Sequence, residues 1–279
     1  MFIDINAEEN IIYRKNYVAF LDVLGFKKLV NSSDREDKKK LDQYFGIVNE
    51  AINYLKNINA KQNINSIIVS DSIILTVQYG HNKESNLNRI RHLCIAVGLI
   101  QLHLALKNIW LRGAISSGDA SFDSAKNQIV GPAYINSYLL EKNSALVPRV
   151  ILDSKIIDEL NFASATKFID EINKEELGGL DFSNWGLKIL FRWGHPDGKR
   201  VTSIKNDVPL FIDYLSPLIE EDGEELLQLV GNLENIMYND TTVYEKFRWV
   251  VDYMHAIMKR EEKNGNLISP EPMYRLGNL

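Results

Sequence analysis

The sequence predicts an α+β fold: a ferredoxin-like (βαββαβ) core followed by a mostly helical C-terminal extension. Two observations predict it. In the first half, short apolar runs rich in β-formers alternate with longer stretches of helical periodicity, in the order β-α-β-β-α-β. The second and third of these strand-like runs are parted only by Ser70 and Asp71, a spacing that leaves a tight hairpin as the connection.

Residues 17–24 (YVAFLDVL) open the core as a buried strand bounded by the Gly25 turn, with one acid near its end. A polar loop holding Ser32, Asp34 and Lys38 leads into a helix whose apolar stripe is Leu41, Tyr44, Phe45, Val48, Ala51, Ile52 and Leu55. Residues 66–69 and 72–77 are the two hairpin strands. A second helix, roughly 86–107, is apolar nearly all round in its middle and is expected to pack against a sheet or another subunit. Residues 111–117 return as a strand ending at Gly118. Residues 131–142 form a third helix, opened by Gly131 and Pro132, because proline suits a first turn. Residues 149–152 are a further short strand. From residue 154 the pattern is less regular, with a Gly/Trp-rich middle (NWGLKILFRWGHPDGK) and two late helices near 220–237 and 241–259. Residues 1–153 are therefore read as one domain and 154–279 as an extension packed on it.

The chain has 279 residues, 45% hydrophobic and 25% charged, and 32 basic against 37 acidic side chains leave a formal charge of −5. This balance excludes a disordered, collagenous or coiled-coil chain. The acidic excess argues against broad nucleic-acid binding, which needs a basic face. A small anionic ligand stays open, because a metal ion can supply positive charge locally. The single cysteine, Cys94, cannot form an internal disulfide, and the first ten residues (MFIDINAEEN) lack the basic and apolar regions of a signal peptide. The most apolar stretch, 93–106, is cut by Gln101 and His103 and is shorter than the roughly 20 residues a membrane span needs. The expectation is a cytoplasmic protein with no membrane and no nucleic-acid partner. The five histidines (His81, His92, His103, His195, His255) show no ligand spacing. His92 and His103 are read as packing on a shared helix face, Cys94 as an inert core thiol, and GHPDGK (194–199) as a turn rather than a phosphate loop.

Two acids break the strand pattern. Asp22 sits inside the apolar run VAFLDVLGF, where an unpartnered carboxylate is costly. Asp71 occupies the hairpin turn in VSDSI. In a ferredoxin-like sheet the first strand neighbours the central hairpin, so the two carboxylates can converge at one sheet end. With no histidine or cysteine beside them, they suit a hard divalent cation such as magnesium or manganese. Gly25 and Phe26 follow directly, and a glycine turn there exposes backbone N–H groups that can hold phosphate oxygens. Metal plus amide cradle is apparatus for in-line attack on a nucleotide phosphorus. Either acid alone has a plainer reading: Asp71 as a turn former, Asp22 as a loop cap.

Four segments, FLDVLGF (20–26), VSDSI (69–73), LRGAISSGD (111–119) and VGPAYINSYLLE (130–141), resemble class III nucleotidyl cyclases in order and spacing, over about residues 16–153. GPAYINSYLLEKNSALVPRVIL and the tail's VYEKFRWVVDYMH resemble the pyrimidine cyclases of bacterial anti-phage (Pycsar) systems. The resemblance implies a cyclase catalytic domain over 1–153, a lyase that converts UTP or CTP to the 3′,5′-cyclic monophosphate (cUMP or cCMP) and pyrophosphate as a defence messenger. It also implies two manganese (or magnesium) ions per site, a homodimer with sites at the subunit interface, and metal ligands at Asp22, Asp71 and the Val23 carbonyl. Phe20, two residues before Asp22, is then the ribose or base contact.

The sequence also departs from the purine cyclases. Ile67 stands where they place a base-reading lysine, and Gln128 where they place an acid. Gln128 carries both a donor and an acceptor and could pair with a pyrimidine edge, or it could be an ordinary surface glutamine. The helix Asn and Arg that serve the transition state are replaced by Ile135 and Leu139 when the third helix is aligned on Leu140-Glu141, and Leu140 takes the arginine slot when it is aligned on Asn136; either way the arginine is absent. Arg112 is the first candidate to supply the missing charge, ahead of Lys142 and Arg149, and a structural ion pair is its competing role. The missing arginine leaves a second function open: a degenerate cyclase-like domain that binds a nucleotide or a partner and catalyses nothing.

Overall fold

A computed structural model describes residues 11–58, 64–174, 189–192 and 210–279, and the side chains of all of these except 54–58, 191 and 192. The chain opens with β1 (Arg14–Val23), α1 (Phe26–Asn31) and α2 (Arg35–Ile58), followed by the hairpin β2 (Ile64–Val69) and β3 (Ser72–Gln78). Next come α3 (Lys83–Leu106), β4 (Leu111–Asp123), β5 (Gln128–Val130), α4 (Pro132–Ser144) and β6 (Val150–Leu152). The sheet order β2-β3-β1-β4, with every neighbouring pair antiparallel, is the ferredoxin-like arrangement that the sequence predicts. β6 then adds parallel to β4 through the α4 crossover.

Period two along β1 divides its side chains between the two faces of the sheet. Tyr17, Ala19, Leu21 and Val23 face the larger core with α2 and α3, whereas Val18 and Phe20 join a smaller cluster with Ile67, Ile74, Ala120 and Ala133. α3 is buried nearly all round, and its N-terminus is closed by a capping box between Asn82 and Ser85. It is the one described helix long and apolar enough to cross a membrane, yet 78% of its most apolar window is buried inside the protein, so its apolarity belongs to the core. On α2, Tyr44, Val48, Ala51 and Ile52 are buried as expected, but Phe45 is exposed; Leu55 lies outside the described side chains. His92 is buried and His103 exposed, so the two do not share a packed surface. β4 does not stop at Gly118 but runs on to Asp123, where β5 turns back on it. Gly131 sits at φ +140°, and a Cβ there would lie 2.5 Å from the Asp119 carbonyl oxygen, so only glycine lets α4 start this close to β4.

Beyond residue 154 come α5 (Lys155–Glu159), α6 (Ala165–Ile172), β7 (Leu190–Arg192) and β8 (Leu210–Ile212). They are followed by α7 (Ser216–Glu221), α8 (Glu224–Asn239), α9 (Tyr244–Lys263) and α10 (Pro270–Gly277). β8 pairs with β6 and with β7, extending the same sheet. Leu226, Leu229, Val250, Met254 and Ile257 from the late helices share one core with Trp110, Ala114 and Ile151 of the first half. Each such fully buried aliphatic side chain contributes about 1.5–3 kcal/mol. Within the Gly/Trp-rich middle, GHPDGK and His195 lie outside the described residues.

Candidate active site

β1 delivers Asp22 to the sheet end where it pairs with Ser72 of β3 on one side and Arg112 of β4 on the other. Val69 pairs with Ser72, so Ser70 and Asp71 are the whole hairpin turn, with Ser70 at φ +59°. Two bonds pin this turn. Val23 N–H donates to the Asp71 carbonyl (3.1 Å), and the Tyr44 hydroxyl donates to the Ser70 carbonyl (3.2 Å). Asp71 is therefore fixed one residue beyond the register position of Asp22. Its charge is felt there: burial lifts the Asp22 carboxyl above its ordinary pKa, Arg112 opposes the rise, and Asp71 adds to it. Burial also pushes up the Tyr44 phenol, with Asp71 and then Asp22 contributing.

The turn after β1 is shaped by Gly25, which adopts φ +76° as the N-cap of α1. Leu24 N–H donates to the Trp110 carbonyl (2.8 Å), but the N–H groups of Gly25, Phe26 and Lys27 meet no acceptor among the described residues. Phe26 itself points into the core and stacks edge-on against Tyr44, so it offers its backbone to the site and not its ring.

Arg112 places its Nε and Nη2 3.1 and 3.0 Å from Asp22 Oδ2. Its Nε is also 2.8 Å from Glu141 Oε1, on α4. The site thus holds a third acid that the sequence reading did not single out. The sequence alone carries no signal for it; in the fold Ala133, Ser137 and Glu141 recur every four residues as the buried side chains of α4. A glutamate on a buried face of small residues requires a cation. Burial raises the Glu141 carboxyl, Arg112 lowers it, and Asp22 raises it further. Lys142 is exposed beside Tyr138, and Arg149 is buried against Phe211 and Trp249, so neither reaches the acids as Arg112 does.

Phe20 is covered by Tyr138 and Tyr134, with ring centroids 5.4 and 6.2 Å away, and only 6% of it is exposed. Ile67 is buried in the same cluster. Gln128 is exposed and pairs with Asp123 at the far end of β4. Eleven residues of strand separate Asp123 from Arg112, about 35 Å, so one chain does not bring Gln128 to the acids. Ile135 and Leu139 are exposed on the outer face of α4.

Among the described residues no group of three or more His, Cys, Asp or Glu is placed to hold a metal. The donors still fit a hard divalent cation. Both Arg112 bonds fall on Asp22 Oδ2, and neither Asp22 Oδ1 nor the Asp71 carboxylate accepts a hydrogen bond from described residues. Ions of the magnesium type use one or two carboxylates and complete their shell with water and substrate phosphates.

No family model matches the chain, and no curated protein does. Solved structures that are similar to it are those of nucleotide cyclases and a cyclase-like protein. The adenylyl cyclase CyaB from P. aeruginosa is 15% identical over 54% of this chain and 84% of its own, with a TM-score of 0.38. The dimeric guanylyl cyclase domain of the RhoGC fusion protein from the aquatic fungus Blastocladiella emersonii is 13% identical over 53% and 84%, at 0.35. A class III adenylyl cyclase-like ATP-binding protein from Pseudomonas aeruginosa is 13% identical over 92% and 73%, at 0.39. No residue role transfers from likenesses this distant.

Proposed function

We propose that the protein is a nucleotidyl cyclase that converts a pyrimidine nucleoside triphosphate, UTP or CTP, to its 3′,5′-cyclic monophosphate and pyrophosphate. The observation that carries this reading is the pinned hairpin turn, which holds the Asp71 backbone against Val23, one residue after Asp22 and shortly before three backbone N–H groups that meet no acceptor among the described residues. Asp22 and Asp71, with the Val23 carbonyl, are the groups that would hold manganese or magnesium. Such ions lower the pKa of the attacking ribose 3′-hydroxyl and offset charge on the leaving pyrophosphate. The N–H groups of residues 25–27 would cradle the phosphates, and Arg112 would supply the guanidinium that α4 lacks. Ile67, buried and apolar, has no means of reading a purine edge as a lysine does.

The exposed Ile135, Tyr138 and Leu139 on α4 form the face we assign to a second copy of the chain. An antiparallel partner there would carry its own Gln128 toward this site, which the distance along β4 denies within one subunit. In this reading residues 1–153 are the catalytic domain, residues 154–279 brace it, and the cyclic product serves as a messenger in anti-phage defence.

A second reading has an observation of its own. Arg112 already neutralises Asp22, as a catalytically silent nucleotide-binding domain would allow. Incubating the purified chain with each of the four ribonucleoside triphosphates and manganese, then separating products by chromatography, decides between them. A cyclic pyrimidine nucleotide that disappears in a folded Asp71→Asn variant is the expected result. Nucleotide binding with no cyclic product from any of the four overturns the cyclase reading and leaves the binder.

A further inference from the structure

Arg112 stands between two acids, Asp22 and Glu141, and hydrogen-bonds to the first. The hydrogens of its Nε and Nη2 are aimed at Asp22 Oδ2, while Glu141 Oε1 stands 2.8 Å from the same Nε. That oxygen is buried and accepts no hydrogen bond among the described residues. Only 3% of Glu141 is exposed, so water cannot take over the role of a partner. A buried carboxylate held at contact distance from a donor that points elsewhere is an acceptor in waiting. It would be paired if the Nε–H of Arg112 turned from Asp22 to Glu141.

We propose that Glu141 is the positioning residue that receives Arg112 when Asp22 turns to a divalent ion. In the metal-free chain, Arg112 is the stand-in cation on Asp22. When Asp22 is claimed, the Nε–H of Arg112 swings onto Glu141, so the carboxylate oxygen that lacked a hydrogen bond before the exchange gains one. The exchange keeps the guanidinium in the pocket, held from α4, and not expelled into solvent. The inference rests on the metal role of Asp22 and Asp71 argued above, and it adds a residue and an order of events to that role.

The test is the affinity of the metal-free, full-length chain for Mn2+ without nucleotide, read from the electron paramagnetic resonance signal of free Mn2+. Glu141→Gln is expected to weaken binding about 10- to 100-fold, the range for lost support behind a metal ligand. Arg112→Gln, which removes the competing cation, is expected to tighten it. In the Arg112→Gln background, Glu141→Gln should then have no further effect. Glu141→Asp, which keeps the charge but shortens the reach, should weaken binding as well and serves if the glutamine variant does not fold. Unchanged affinity in the Glu141 variants overturns the proposal. So does an equal loss with and without Arg112, because the carboxylate would then act on the ion directly. Asp71→Asn separates this failure from the larger one. If it abolishes binding while Glu141→Gln does nothing, only the Glu141 role falls; if it leaves binding intact, the metal reading falls and takes the Glu141 role with it.

Discussion

Replacing Arg112 by methionine, in the absence of metal, should cost about 3–5 kcal/mol of stability. The substitution keeps much of the apolar stem and removes the cation that pairs with two acids. Asp22 and Glu141 are largely buried, with side-chain exposures of 20% and 4%. Neither can recover its lost partner from solvent at full strength. For a chain of this size the loss corresponds to a melting temperature about 10 °C lower. Asp22→Asn is the control: Arg112 keeps Glu141 at 2.8 Å, so the cost should be smaller, about 1–2 kcal/mol. The deficit of the methionine variant also has a direction with pH. Both carboxyls already titrate above their ordinary values when folded, and loss of Arg112 raises them further. A carboxyl with a raised folded pKa contributes stability below its unfolded pKa and loses it as pH rises through the folded one. The deficit is therefore largest at neutral pH and shrinks as pH falls into the carboxylate range. Urea unfolding in a chelator, at neutral and at mildly acidic pH, measures both the size and the trend. A methionine variant as stable as the parent at neutral pH would refute the claim that this cation neutralises the pocket.

Two other outcomes follow from particular residues. His92 is buried and held down to a pKa of about 4 by burial and by the charge of Arg91. The unfolded chain therefore takes up its proton first as pH falls from about 6.5. This should remove up to about 3 kcal/mol between there and pH 4, and His92→Phe should flatten that part of a pH–stability curve; an unchanged slope contradicts it. Leu139→Asp, at a side chain 44% exposed, should leave the melting temperature within about 0.5 kcal/mol of equivalent stability. It should also convert a dimer to a monomer in light scattering, and a chain that is monomeric before the substitution contradicts the assignment of that face.

Much of the core was legible because its signals are local. The apolar run of β1, the two-residue hairpin and the all-round apolarity of α3 each fix an element from neighbouring residues alone, and the strand order follows from known connection rules. Asp22 stood out because an acid inside an apolar strand conflicts with its surroundings. α1 and β5 did not stand out, since six and three residues carry no readable period. The same holds for β7 and β8, whose strand character comes from pairing with the sheet edge. Glu141 was hidden for a different reason. In sequence it is one more helix glutamate, and only the contact of α4 with β4 turns its face inward, leaving Ile135 and Leu139 outside. Tertiary packing reversed the usual polarity of that helix.

One ion shared by two side chains underlies the proposed chemistry. Crystals of the chain grown with a non-hydrolysable pyrimidine triphosphate and Mn2+, with data collected at an energy where manganese scatters anomalously, test it directly. The expected result is an anomalous peak that the carboxylates of Asp22 and Asp71 both ligate. A nucleotide bound with no such peak, or with the ion held by one of the two acids while Arg112 keeps the other, would contradict it.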